Sequence, residues 1–420
     1  MRLLVITASY PPYQVGGYEI RCKDVVDSLS KRGHEILILT SRVSEKSCET
    51  HEEELLIERK LHLKSKSRNI LSQIYKDAND LKFIDRKVKE YKPDIIYLWG
   101  IQPLSNAILP YFSRQNIQIV YDEGGGGLLY LTKIHNRGLY FYKNEKDSFI
   151  KNTLKEFIYL LVSLVTANLI VPHWTWPQSM RIYFNCNSAL KYSQEGGVPV
   201  ENARVIYSGI DVQKFPFQLR EGVGSPVHIL LPGRIKPIKG TKDSLDLVKE
   251  LLKRGIKVKL RIVGKIQSEE YFTEIKTMIK KDGLDDVIEY LPMVPQLQLA
   301  EFYRNSDICF FPSYFQTGFS RISLEAMASG CALITYGNEG SKEIIHDHET
   351  GFVISEGNFV EAADVIVNLI TDAEKYKKIV MSARRQIEQE HEFDRYIDSI
   401  EEYLVESLQA DKVYAQKAHH

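Results

Sequence analysis

The chain has 420 residues, 44% of them hydrophobic and 26% charged, with 55 basic side chains balanced by 55 acidic ones. That length exceeds one ordinary core and predicts two domains of globular composition. Zero net charge removes any whole-molecule attraction to nucleic acid. The five cysteines, Cys22, Cys48, Cys186, Cys309 and Cys331, are odd in number and form no Cys-x-x-Cys pair, so reduced thiols and a cytoplasmic setting are expected. The N-terminus runs straight into a strand, without the basic segment, apolar core and cleavage site of an export signal.

Taken in chain order, the first strand is predicted over 3–8, followed by a loop carrying Pro11, Pro12, Gly16 and Gly17 and a helix over 19–32. Strands follow at 36–40, 95–99 and 117–121. Between the first two of these, Lys60-Leu-His-Leu-Lys-Ser-Lys-Ser-Arg68, with Lys76 nearby, is a basic stretch. It is either a solvated loop or a patch for anionic lipid headgroups, each charge contributing about 1 kcal/mol near a membrane surface. Tyr121-Asp-Glu-Gly-Gly-Gly-Gly127 brings two carboxylates to the end of a strand, either for a ligand or as a surface turn. The apolar run 157–171 falls short of the roughly 20 residues of a membrane span and is broken by Thr166 and Asn168. It predicts a core helix running into a buried strand at 169–172, with His173, Trp174 and Trp176 just beyond. Further strands are predicted at 182–186 and 204–206.

The second half opens in the same way, with a strand at 227–231, a turn carrying Gly233, Arg234, Lys239 and Gly240, and a helix over 241–253. Unpaired N–H groups and the dipole of such a helix entrance attract anions, and an added guanidinium and ammonium suit a diphosphate. A solvated basic loop is the other reading of that turn alone. Strands at 257–263, 287–290, 308–312, 332–335 and 351–354 follow, with a helix over 321–329 stopped by Gly330. Gly318, Phe319 and Ser320 occupy that helix entrance, and Glu325 sits one turn inside, placed either for a ribose diol or for Arg321 four residues earlier. Met293 and Val294 follow a strand end and are either a base pocket or plain core. A last helix is expected at about 393–408, and His419 and His420 close the chain.

Short apolar runs alternating with amphipathic helices in both halves give an α/β class, with two Rossmann-like doubly wound domains facing a central cleft. The break falls near Gly209, Asp211 and Pro216, dividing 1–208 from 209–386, with a terminal helical segment at 387–410.

Gly233, Arg234, Lys239 and Gly240, followed later by Glu325-Ala-Met-Ala-Ser-Gly330, resemble the nucleotide-binding half of the retaining glycosyltransferases of family 4, which have the GT-B fold. The glycine loop at Gly16 and Gly17, the segment 93–100, the hinge-like 205–211 with Phe215, the strand ending in Gly264, and Glu343 with Gly351 extend the resemblance over nearly the whole chain. It implies a catalyst that moves a sugar from a nucleoside diphosphate to a hydroxyl with retention. Arg234 and Lys239 would stabilise the departing diphosphate. Gly16, Gly17, Gly233, Gly264, Met293, Val294, Thr317, Gly318, Phe319, Ser320 and Glu325 would hold the donor. Asp122, in the place of the family's His-Asp aspartate, would orient the acceptor or support charge on the sugar. The resemblance also implies a last helix that packs back on the first domain.

Three positions depart from the family pattern, one being Tyr121 in the place of the family's histidine before Asp122. Thr317 stands where the first carboxylate of the Glu-x7-Glu pair belongs, and Ser320 replaces a usual Gly. A threonine offers a hydroxyl and no charge, so donor choice or rate is expected to change. No resident cofactor and no metal are expected, because the chain has no Asp-x-Asp and His346-Asp347-His348 reads as a polar loop. Expected partners are a nucleotide-sugar donor, most simply of uridine or guanosine, and a carbohydrate, lipid-linked or small-molecule acceptor. Rival readings are a catalytically weak nucleotide-sugar-binding homologue and a nucleotide-sugar epimerase. A Rossmann dehydrogenase is disfavoured because Gly-x-Gly-x-x-Gly is missing after the first strand.

Overall fold

The computed structural model describes residues 1–13, 16–42, 50–52, 55–64, 69–124, 126–137, 149–171, 174–314, 318, 320–337 and 339–417. They form two compact units, one of residues 1–185, 189–206 and 397–420, the other of 186–188 and 207–396. The first carries β1 (Arg2–Thr7), α1 (Gly17–Lys31), β2 (Glu35–Ser41), β3 (Thr50–Glu52), β4 (Leu55–Leu61), α2 (Ile70–Tyr91), β5 (Ile95–Trp99), α3 (Ile108–Phe112), β6 (Gln118–Glu123), α4 (Gly127–Arg137), α5 (Phe149–Val165), β7 (Met180–Phe184), α6 (Asn187–Glu195, whose first two residues belong to the second unit) and β8 (Arg204–Val205). The second carries β9 (Val227–Pro232), α7 (Thr241–Lys253), β10 (Val258–Val263), α8 (Glu269–Lys281), β11 (Ile288–Leu291), α9 (Gln296–Arg304), β12 (Ile308–Phe311), α10 (Arg321–Ser329), β13 (Ala332–Tyr336), α11 (Glu339–Lys342), β14 (Phe352–Ile354), α12 (Phe359–Thr371) and α13 (Ala373–Glu390). A final helix, α14 (Phe393–Lys417), begins in the second unit and continues in the first.

Strands such as β1, β5 and β12 are apolar almost throughout and buried, as parallel strands covered on both faces must be. The first sheet runs β3-β4-β2-β1-β5-β6-β7-β8, and the second runs β11-β10-β9-β12-β13-β14. In each, the chain builds outward from a central strand and then returns to that strand's other side. The order therefore reverses between β1 and β5 in one unit and between β9 and β12 in the other, where the C-terminal strand ends of open sheets leave room for ligands.

Several expectations are corrected. β3 pairs antiparallel with β4, so the first sheet is not wholly parallel. β4 escaped the sequence reading because Glu58, Arg59 and Lys60 interrupt its apolar run. Glu58 and Arg59 are nevertheless buried. Glu58 is paired with Lys60 and Lys87 at 3.1 and 2.5 Å, while Arg59 donates to the Tyr10 and Pro11 carbonyls at 3.0 and 2.6 Å. The basic stretch starting at Lys60 thus enters a strand. His62 meets Asp80 at 2.6 Å and Lys64 donates to the Gln102 carbonyl, while 65–68 lie outside the described residues.

The run predicted as a core helix is α5, and its apolar side faces solvent. Ile150, Leu154, Phe157, Leu161 and Leu164 are 78, 58, 56, 44 and 64% exposed. No strand forms over 169–171. Ala167 and Asn168 adopt left-handed backbone, and Ser163 Oγ bonds Asn168 Oδ1 at 2.7 Å to hold the turn. Residues 172 and 173, the predicted end of that strand and His173, lie outside the described residues.

The last helix runs to Lys417, beyond the expected 408, and separates from α13 at His391. From Ile397 it packs on the first unit. Glu401 meets Arg32 at 2.7 Å, and Tyr403 Oη donates to the Ile182 carbonyl at 2.8 Å. Glu343 accepts N–H groups of Asn187 and Ser188 at 2.8 and 2.6 Å and the Tyr207 hydroxyl at 2.8 Å, closing the start of α6. Cys22, Cys186, Cys309 and Cys331 are buried free thiols.

Candidate functional site

In the second unit, three loops converge at the C-terminal ends of β9, β10 and β12. The β9–α7 turn contains a 3-10 turn over Pro237–Lys239 and reaches α7 through Gly240, whose φ is 66°. A Cβ on Gly240 would lie 2.1 Å from the Pro312 carbonyl, so the loop after β12 approaches as closely as backbone allows. After β10 the same constraint recurs, because a Cβ on Gly264 would lie 1.9 Å from the Gly233 carbonyl. Tyr314 N–H donates to the Ile238 carbonyl at 3.0 Å, which ties the first and third loops together.

Lys239 bridges the point where the strand order reverses. Its Nζ donates to Ser313 Oγ at 3.1 Å and lies 5.1 Å from the Phe311 ring centroid. Arg234 and Lys236 come from the same turn. Among the described residues, no carboxylate lies within 4 Å of any of the three cations. Burial, reinforced by the charges of Lys236 and Arg234, pushes the Lys239 ammonium down to about 8. Lys236 is lowered too, by burial and by Arg234. Three clustered cations with no counter-charge among the described residues make a site that gains by binding an anion.

On the far side, Ser320 caps α10 by accepting from Ile322 N–H at 3.2 Å, and Gly318 and Ser320 are buried. Thr317 and Phe319 lie outside the described residues. Glu325 is 6% exposed and meets Arg321, one of its two expected partners, whose Nε reaches one oxygen at 3.3 Å, while Tyr303 Oη donates to the other at 2.9 Å. Met293 is 54% exposed and Val294 half-buried, so neither belongs to the core. At the mouth of α7, Asp243 accepts from Tyr314 Oη at 2.8 Å and is thereby engaged.

The predicted residues of the first unit are arranged differently. Gly16 N–H donates to Glu19 Oε2 at 2.8 Å, capping α1. Its φ is −130°, and neither Gly16 nor Gly17 needs left-handed backbone. Asp122 and Glu123, expected as ligand-facing or solvated acids, are both buried, at 1 and 2% exposure. Asp122 is ion-paired with Arg21, whose guanidinium lies 5.1 Å from the Tyr18 and Trp99 ring centroids. Burial raises the Asp122 carboxyl while Arg21 opposes that shift. Glu123 accepts the N–H groups of Gly126, Gly127 and Leu128 at 2.6, 3.1 and 2.7 Å, closing the start of α4. Asp122 therefore faces Arg21 rather than an open pocket.

Ser313, Lys236 and Tyr303 were not singled out from the sequence. Ser313 and Lys236 adjoin the motifs already noted, whereas nothing in the spacing links Tyr303 on α9 to Glu325 on α10. Among the described residues no group of three or more His, Cys, Asp or Glu side chains is disposed to hold a metal ion.

Comparison with known proteins bears on family and fold. Residues 213–386 match the family described as glycosyl transferases group 1, and residues 15–214 match glycosyltransferase family 4. Over 206 residues the chain is 26% identical to the amylovoran biosynthesis glycosyltransferase AmsK of Erwinia amylovora, covering 48% of this chain and 49% of that protein. Over 147 residues it is 30% identical to a D-inositol 3-phosphate glycosyltransferase of Arthrobacter, covering 34% of each. The capsular polysaccharide biosynthesis glycosyltransferase CapM of Staphylococcus aureus is 28% identical over 156 residues, covering 37% of this chain and 40% of that one. The chain thus spans about half or less of the length of these curated relatives. Among solved structures, sucrose-phosphate synthase of Thermosynechococcus elongatus superposes with TM-score 0.70 at 14% identity, covering 100% of this chain and 99% of that one. Anabaena HepE in complex with UDP-glucose gives 0.69 at 19%, covering 97 and 100%. These solved structures share the fold, two α/β units built on parallel sheets.

Proposed function

The chain belongs to the group 1 glycosyltransferases, and from that premise we propose that it moves a sugar from a nucleoside diphosphate to an acceptor hydroxyl, with retention at the anomeric carbon. The observation that carries this reading is the trio Arg234, Lys236 and Lys239, clustered where β9 and β12 diverge with no carboxylate among the described residues within 4 Å. Breaking the bond between the anomeric carbon and the β-phosphate oxygen builds negative charge on the diphosphate and positive charge on the sugar ring. Fixed cations placed where that charge develops lower the barrier, because they interact more strongly with the transition state than with the ground state. On this reading the leaving group needs no metal, and chelator should leave turnover unchanged.

The donor would rest on Gly233, Gly264 and the entrance to α10, with Met293 and Val294 toward the base and Glu325 toward the ribose once it exchanges a present partner for a hydroxyl. A uridine donor is favoured by likeness to HepE, solved with UDP-glucose. The polysaccharide roles in the names of AmsK and CapM favour a surface-polysaccharide acceptor. Thr317 in place of the family glutamate favours a second reading, in which donor binds with little transfer.

Titration calorimetry and turnover with UDP- and GDP-sugars over an acceptor panel separate these readings. Donor binding with transfer of label to an acceptor is expected. Binding without transfer would leave the weak-homologue reading, epimerised donor without acceptor would indicate an epimerase, and no binding at all would remove the anion-site assignment.

A further inference from the structure

α5 is amphipathic in the reverse sense for a helix of a water-soluble surface. Its packed side carries Tyr159, Ser163 and Thr166, each at most 8% exposed, and two of these are hydroxyl residues hydrogen-bonded within the helix or to the turn that ends it. Its outer side carries Ile150, Leu154, Phe157, Leu161 and Leu164, spaced by four and three residues into one stripe, with Leu160 and Val165 beside it at 54 and 83% exposure. Isolated exposed apolar side chains need no explanation, but seven on one helix form a contiguous strip of the sort that marks an interaction surface.

The dimensions and charges of the strip select its occupant. Seventeen residues make a helix about 25 Å long and about 10 Å wide, a footprint of roughly 250 Å². A stable dimer needs about 800 Å² from each partner, so a second copy seated on this strip alone would be too weakly held. No described helix is long and apolar enough to cross a membrane, so this one would lie along a bilayer rather than through it. Its flanking charges are Lys151, Lys155 and Glu156, a net positive edge that matches anionic headgroups. We propose that α5 seats the first unit on an anionic lipid surface, its leucine and phenylalanine stripe entering the boundary between headgroups and acyl chains. This assignment does not rest on the transfer reaction.

Flotation of the full chain with vesicles of equal parts phosphatidylcholine and phosphatidylglycerol tests it. The chain should float, with weaker flotation on phosphatidylcholine alone. Phe157→Ser and Leu161→Ser should each weaken partitioning by about tenfold. Lys151→Gln should weaken it by about fivefold on anionic vesicles only. Because all three residues are solvent-facing or flanking, thermal melting and donor binding should stay unchanged, which separates lost docking from lost folding. Absence of flotation, or flotation indifferent to both apolar substitutions, would overturn the assignment. So would a concentration-dependent dimer in lipid-free solution that Leu161→Ser dissolves, since the strip would then face a second copy.

Discussion

The two units begin with the same device, a parallel strand, a glycine-bearing loop and a helix placed where the sheet order reverses, yet they treat charge in opposite ways. In the first, Arg21 on α1 reaches across to Asp122 at the end of β6, and aromatic faces of Tyr18 and Trp99 flank the guanidinium. In the second, Arg234, Lys236 and Lys239 gather with no carboxylate among the described residues within 4 Å, and Lys239 meets Ser313 and the Phe311 ring. The first junction supplies its own counter-charge, while among the described residues the second does not. The lesson is that a shared architectural position does not itself make a binding site. What distinguishes the two is whether the protein supplies its own counter-ion.

The largest effect should come from opening the closed junction. Asp122→Ala leaves Arg21 buried without its carboxylate and should destabilise the protein by about 3–5 kcal/mol, measured by denaturant unfolding. The double variant Arg21→Met with Asp122→Leu should recover most of that loss. If Asp122→Ala instead lowered turnover with stability intact, the first junction would also be a working site and the contrast would fail.

Next comes Lys239→Ala, which should weaken nucleoside-diphosphate binding or transition-state stabilisation by about 2–5 kcal/mol while leaving the melting temperature near that of the parent. Near-normal turnover would show that the uncompensated cation is incidental.

A pH series sharpens the same contrast. Lys239 is held at about 8, below an unfolded lysine near 10.4, so between those values the unfolded chain binds more protons. This group's contribution to stability without ligand should therefore rise with pH across that window. Donor affinity should fall over the same range, because the cation that grips the diphosphate is being lost. Both trends should be absent from Lys239→Met. If donor affinity were flat between pH 8 and about 10, Lys239 would not be a charged contact to the donor.

The smallest effect is expected at Glu343→Gln. This carboxylate is exposed enough for water to screen it, and it acts through hydrogen bonds to the start of α6. A loss of about 1 kcal/mol in unfolding free energy is expected. Burial raises the carboxyl, but the bonds from Ser188, Tyr207 and Asn187 outweigh it and leave the group below its ordinary range. Its contribution should accordingly be present above the usual carboxylate range and fade as pH falls through the lowered folded value.

Much of this was legible in the chain itself. Predicted helices 241–253 and 321–329 agree with α7 and α10, whose entrances are marked by Gly240 and Ser320. The central strands were equally clear, being continuous apolar runs. What escaped depends on pairing across sequence. β4 carries three charges in a row, and Lys87, Tyr10 and Pro11, which help make them tolerable, are distant in sequence. Asp122 looked accessible because its neighbours are glycines, whereas its environment is set by Arg21, more than a hundred residues earlier. Hydrophobic periodicity located α5 but could not say which side faces inward, since the inward face there is narrow and hydroxyl-rich.

The sequestered thiols have a practical consequence. Burial holds Cys22 in the first unit and Cys309 in the second well above the ordinary thiol range, so neither forms thiolate readily while its surroundings stay packed. Alkylation at each position would then clock the opening of its own unit, giving an internal stopwatch for whether the two halves breathe together or one at a time.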